Sequence, residues 1–146
     1  MAYLEGKNLV ASYGVVPILH ECSVEVEKGE LAVIVGPNGA GKSTVMRVLL
    51  GMLEATSGSV TLDGNDISML STQDRIAQGL AFVPQTKNVF PSMTVEENLQ
   101  MGGFIREDDI SKTIEEVYEL FPILYEKRKQ LAEELSGGQR QQVAFG

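Results

Sequence analysis

The densest chemistry in the chain lies in eight residues, "GPNGAGKS", Gly36 to Ser43. They satisfy the pattern G-x-x-x-x-G-K-[ST] in full. Gly36, Gly39 and Gly41 let the backbone curl so that successive N–H groups point inward at one anion. Pro37, Asn38 and Ala40 complete the loop. A helix predicted just after it adds the positive end of its dipole at the same place. Lys42 brings a full charge to β- and γ-phosphates, Ser43 offers a hydroxyl to Mg²⁺, and Thr44 reaches an α-phosphate. The loop therefore points to a nucleoside triphosphate. Alone, it does not separate kinase, GTPase and ATPase.

Three further features stand at suggestive places. Tyr13 precedes Gly36 by 23 residues and ends an alternating run. Gln85 follows the apolar stretch "LAFV" and Pro84. "LSGGQ", Leu135 to Gln139, lies 92 residues beyond Ser43 and opens a short polar segment in which Ser136 can cap a helix.

The elements that must hold these residues are legible as patterns. Leu9, Ala11 and Tyr13 share one face of a predicted strand, and Cys22, Val24 and Val26 one face of the next, so the first 27 residues read as an antiparallel pair. "LAVIV", Leu31 to Val35, is apolar without alternation, as in a strand buried on both faces of a parallel sheet. Val45, Val48, Leu49, Met52 and Leu53 recur at helical spacing, with Gly51 near the end. "SGSVTLDG" predicts a strand closed by an Asp-Gly turn. Ser71 caps a helix that stops at Gly79, and "LAFV", Leu80 to Val83, reads as a second short buried strand. Thr94 and Glu97 form a capping box for a helix ended by Gly102 and Gly103. Another helix runs from about Ile110 to Phe121, with Pro122 after it. "EKRK", Glu126 to Lys129, reads as a solvated helix face.

Composition narrows the class. The 146 residues carry a net charge of -8, against a nucleic-acid footprint, which needs a basic face. No stretch approaches the roughly 20 apolar residues of a membrane span. The single cysteine, Cys22, cannot form an internal disulfide, and the single histidine, His20, has no partner at metal spacing. These features point to a reducing cytosolic compartment.

The phosphate loop together with Tyr13, Gln85 and "LSGGQ" resembles the ATP-binding cassette family, the motor subunits of ABC transporters, over the whole chain. The resemblance implies an α/β P-loop fold with an N-terminal antiparallel β-subdomain and a helical subdomain. It divides the chain at 1–85 (β-subdomain and phosphate-loop core), 86–135 (mainly helical) and 136–146 (signature helix). It makes Tyr13 the ring that stacks on adenine, and Lys42 and Gln85 the catalytic residues. Gln85 would reach Mg²⁺, together with Ser43, and the attacking water. Leu135, Ser136, Gly137, Gly138 and Gln139 look like the signature motif, which closes on ATP held by a second ATPase subunit. The implied cofactors are ATP and Mg²⁺. The implied partners are that second subunit and transmembrane permease subunits, with the chain peripheral on the cytoplasmic face of the inner membrane.

"FPSMTVEENLQMGGF" and "VYELFPILYEKRKQLAEELSGGQ" are similar to the branched-chain amino-acid importer subgroup. One position departs: the subgroup often has glutamate where this chain has Gln85, the ordinary residue of the wider family. Soluble ABC ATPases of DNA repair carry long coiled-coil insertions between loop and signature, which 92 residues without heptads do not provide. In the family, an apolar strand ending in Asp-Glu follows the signature, and a switch histidine comes later. Asp63 and Asp66 read as turn residues instead. The chain is therefore expected to stop about 90 residues short of a usual cassette. It should bind nucleotide without turnover and leave Val33, Val35 and Phe82 poorly covered.

Overall fold

The computed structural model describes residues 2–146, which form two compact units that divide between Phe82 and Val83.

The first unit is built on a four-stranded antiparallel sheet in the order β2-β1-β3-β4. β1 (Leu4–Tyr13) and β2 (Val16–Val26) form the expected hairpin. β3 (Ser57–Leu62) pairs with the other edge of β1. The Asp-Gly signal is realised as a tight turn into β4 (Asn65–Asp66): Asp63 has φ 48° and Gly64 φ 77°, the pair of positive angles that a type I′ turn requires. Inward residues of the sheet, Leu9, Ala11, Leu19, Val60 and Leu62, pack on Val45, Val48 and Leu49 of α1 (Lys42–Leu49).

α1 ends in a complete Schellman motif. Gly51 N–H donates to Val48 O (3.0 Å) and Met52 N–H to Arg47 O (2.8 Å). The helix therefore stops before Met52 and Leu53, which its apolar pattern had included. α2 (Thr72–Ala77) starts at Ser71, whose hydroxyl accepts from Asp74 N–H, as expected. Its Arg75 is 3% exposed. Its guanidinium donates to Val48 O (2.9 Å) and Leu49 O (2.8 Å) at the end of α1, and to Ser68 O (2.7 Å) and Leu70 O (3.1 Å). A cation on the carbonyl end of a helix complements its dipole. Burial lowers the Arg75 pKa, and the Asp66 charge opposes that shift.

Two expected strands do not form. Leu31–Val35 and Leu80–Val83 have no ladder partner among the described residues. Leu31, Val33 and Val35 are 88%, 72% and 83% exposed, while Phe82 is half-buried. An apolar run indicates a strand only where neighbours supply the hydrogen bonds. The sheet here is antiparallel throughout, and no described strand pairs parallel to another.

The second unit is helical. α3 (Val95–Gly102) carries the predicted capping box in both directions: Thr94 Oγ1 accepts from Glu97 N–H, and Glu97 Oε2 accepts from Thr94 N–H. Asn98, buried on α3, fastens the preceding loop. Its Oδ1 accepts from Phe90 N–H (2.7 Å), and its Nδ2 faces Phe90 O (3.0 Å), Met93 O (3.3 Å) and Thr94 O (2.8 Å). α4 (Ser111–Leu120) ends before Phe121. Pro122 does not merely end that helix. It starts α5 (Pro122–Glu126), because a proline at the first helical position gives up no hydrogen bond. Lys127 to Lys129 consequently lie in a turn rather than on a helix face, with Arg128 stacked over the Tyr125 ring at 4.2 Å. After a short 3₁₀ turn (Ala132–Glu134) the unit closes with α6 (Gly137–Phe145). Val95, Leu99, Leu124, Leu135 and Val143 form its core.

Candidate functional site: a phosphate loop and a capped glycine helix

The phosphate loop occupies Gly36 to Gly41 and delivers the chain into α1. A turn closed by Ala40 N–H to Pro37 O (3.2 Å) sets its curl. Gly41 is the residue its own chain demands. It has φ 88°, and a Cβ there would stand 2.9 Å from Leu19 Cδ2. Leu19 of β2 thus forms part of the floor beneath the loop. Lys42 Nζ bends over the loop and donates to Gly36 O and Pro37 O, both at 2.8 Å. Two of its three N–H donors are used on carbonyls, so the ammonium is already held at the loop it would serve.

The start of α1 fits an anion for a specific reason. Its N-cap, Gly41, has no side-chain hydrogen bond, and its first turn contains no acidic residue. The first amides of a helix have no partner within the helix, and these receive none from a cap. Gly36, Pro37, Asn38, Gly39, Ala40 and Ser43 are exposed, while Thr44 is buried. Ser43, the residue expected to meet Mg²⁺, is exposed to solvent. Thr44 faces the core and offers an α-phosphate little surface in this conformation.

Tyr13 ends β1 in the same unit and is 44% exposed. Its hydroxyl accepts a hydrogen bond from Arg47 Nη1 (2.9 Å), in the last turn of α1. The sequence reading did not single out Arg47, and it missed Arg75. A basic residue in a last helical turn was the available signal for Arg47. Nothing in the local pattern marks Arg75 as buried.

The other predicted residues lie in the second unit. Gln85 is exposed, in irregular chain near the start of that unit. Ser136 is the N-cap of α6, as expected. Its Oγ accepts from Gln139 N–H (3.3 Å) while Gln139 Oε1 accepts from Ser136 N–H (3.1 Å), a reciprocal capping box. Leu135 is buried and anchors the motif to the core. Gly137 and Gly138 are exposed, and a Cβ at either would meet no atom within 4 Å. Arg140 Nη1 donates to Leu135 O (2.9 Å) and steadies the entry to the helix.

A family model described as ABC transporter matches residues 19–146. The high-affinity branched-chain amino acid transport ATP-binding protein BraG of Pseudomonas aeruginosa is 44% identical over 135 residues, covering 92% of this chain and 58% of that protein. The sn-glycerol-3-phosphate import ATP-binding protein UgpC of Ruegeria pomeroyi is 40% identical over 152 residues, covering 100% of this chain and 41% of that protein. A solved ATP-binding cassette of an ABC transporter superposes with a TM-score of 0.86 at 29% identity, covering 99% of this chain and 63% of that one. The chain thus spans less than two thirds of the length of each of these relatives. With its phosphate loop and signature segment inside the matched residues, the chain belongs to the ABC transporter family.

Proposed function

We propose that this chain is the nucleotide-binding part of an ATP-hydrolysing subunit that drives an importer, with branched-chain amino acids as cargo. The observation that carries the reading is the uncapped start of α1, wrapped in a glycine loop with Lys42 Nζ held on that loop. Lys42 and the loop amides would bind the phosphates of ATP, Ser43 and Gln85 would hold Mg²⁺, and Tyr13 would stack on the base. Bound Mg-ATP supplies the phosphoryl group whose transfer to water drives transport. The residues described here bind and orient it. Asp66 is engaged in its own turn: its Oδ1 accepts from Ser68 N–H (2.8 Å), and hydrogen bonding from the Ser68 side chain, then from its backbone, holds the carboxyl below its ordinary value. In this reading the 146 residues alone bind ATP without turnover.

The signature segment serves a neighbour's nucleotide in this reading. Among the described residues no atom lies within 4 Å of a Cβ at 137 or 138, which leaves room for a phosphate to approach the helix start. The partners would be a second ATPase subunit and transmembrane permease subunits, with this chain peripheral on the cytoplasmic face of the inner membrane. Among the described residues no helix is long and apolar enough to cross a membrane. Residues 1–85 would form the β-subdomain and loop core, 86–135 the helical subdomain and 136–146 the signature helix. The cargo assignment is supported by the importer-like segments at Phe90–Phe104 and Val117–Gln139 and by the 44% identity to BraG. The UgpC likeness favours a second cargo, a glycerol phosphate, at 40% identity.

Calorimetric titration of the chain with Mg-ATP, beside a phosphate-release assay, tests the core of this reading. Saturable binding without phosphate release is expected. Absence of binding, or release at the rate of a complete transporter subunit, overturns it. Reconstitution with candidate permeases, measuring uptake of leucine against glycerol phosphate, decides the cargo.

A further inference from the structure

The helix that follows the phosphate loop reaches a second predicted nucleotide contact through Arg47. This residue lies in the last turn of α1, and its Nη1 donates to the hydroxyl of Tyr13 at 2.9 Å, across 34 positions of sequence. The backbone of Arg47 is itself fixed, because its carbonyl accepts from Met52 N–H (2.8 Å) and Leu53 N–H (3.2 Å) in the turn that closes the helix. Long side chains on a helix lean toward its N-terminus, here the loop end. Tyr13, in contrast, sits at the last position of β1, half in solvent, beside a hairpin turn whose Val15 is 97% exposed. A ring in that position turns about two bonds unless something holds its far end.

We propose that Arg47 is a positioning residue for base recognition, holding the Tyr13 ring at a fixed offset from the phosphate loop. One helix then sets both ends of the nucleotide site: its first turn the phosphates, its last turn the platform for the base. The inference rests on the reading of Tyr13 as the stacking residue. Arg47 does not touch the nucleotide. It acts by removing rotamer freedom that binding would otherwise have to remove.

The test compares Mg-ATP with inorganic tripolyphosphate, which has phosphates and no base, by calorimetric titration of the 146-residue chain. Both side chains are exposed, so the variants should keep the wild-type far-ultraviolet circular dichroism. Tyr13→Ala is expected to weaken ATP about tenfold. Tyr13→Phe keeps the ring and loses the hydroxyl, and Arg47→Met loses the donor. Each should weaken ATP about threefold, and the double variant no more than either single one, since both break the same bond. Arg47→Lys should recover part of the loss. Tripolyphosphate affinity should stay at the wild-type value throughout. Parallel loss of tripolyphosphate binding in Arg47→Met, or additive losses in the double variant, overturns the proposal. If Tyr13→Ala is defective while Tyr13→Phe and Arg47→Met are not, the positioning role fails and the stacking role stands. If Tyr13→Ala leaves the ratio of ATP to tripolyphosphate affinity unchanged, the stacking role fails and the positioning role falls with it.

Discussion

α1 and α6 both begin in glycine-rich sequence, and their starts are built in opposite ways. Gly41 enters α1 with φ 88° and no side-chain cap, so the first amides stay open. Ser136 enters α6 in an extended conformation, and its hydroxyl and the Gln139 amide close a reciprocal box. Glycine at 41 is required from within, by backbone conformation and by Leu19 beneath it. Glycine at 137 and 138 is required by nothing among the described residues. The first start leaves its amides open and has no acidic residue in its first turn. The second is closed by its own capping box and keeps open space at Gly137 and Gly138. A glycine's role is therefore read from what a side chain there would strike, not from its presence in a motif.

The largest effect that distinguishes the two starts should come from Lys42. Its replacement by Met removes a charged donor from the open helix start, and ATP affinity should fall roughly 30- to 100-fold, as lost charge-assisted hydrogen bonds of about 2–3 kcal/mol imply. Calorimetry reads this directly, and an unchanged affinity would remove α1 from the site. Next come paired glycine substitutions, followed by urea unfolding. Gly41→Ala should destabilise the chain by about 1–3 kcal/mol, through the left-handed angle and the Leu19 contact. Gly137→Ala should leave stability unchanged or raise it by up to about 1 kcal/mol, since alanine is the better helix former. Equal losses at both positions would erase the contrast.

Ser136→Ala should cost about 1 kcal/mol as α6 loses its cap, and Ser136→Thr should restore most of it. The smallest effect compares two boxes of the same shape. The Thr94 backbone and side-chain hydrogen bonds lower the Glu97 pKa from 4.5. A depressed carboxyl pKa gives stability that is present above 4.5 and lost as the pH falls below it through the folded value. The protection factors of the first-turn amides of α3, with the intrinsic pH dependence of exchange divided out, should therefore fall as the pH drops below 4.5, and Glu97→Gln should abolish that response. The Gln139 box does not titrate, so the first turn of α6 should show no such step.

These local devices are what the sequence makes legible. The Thr94–Glu97 box, the Ser71 and Ser136 caps and the Asp63-Gly64 turn are rules over three or four residues, and each appears where its residues predict it. The phosphate loop is legible for the same reason. Strand status at Leu31–Val35 was not, because a strand exists only in its pairing. The burial of Arg75 and the bond from Arg47 to Tyr13 were invisible too, since each joins segments more than 25 residues apart, as the 27 positions between Val48 and Arg75 show. Pro122 misled in another way: one residue type both ends and starts helices, and only the chain on either side decides which.

Asn98 carries a last lesson. The loop from Phe90 to Thr94 takes its form from one side-chain amide, which meets the N–H and the C=O of Phe90 much as a neighbouring strand would. The shape of that loop is thus encoded elsewhere, by a residue outside it. Aspartate has nearly the same outline as asparagine and is one base change, or one slow deamidation, away. It would turn a donor into a second negatively charged acceptor facing three carbonyl oxygens. Mutation scanning guided by size or helix preference would pass this exchange as harmless.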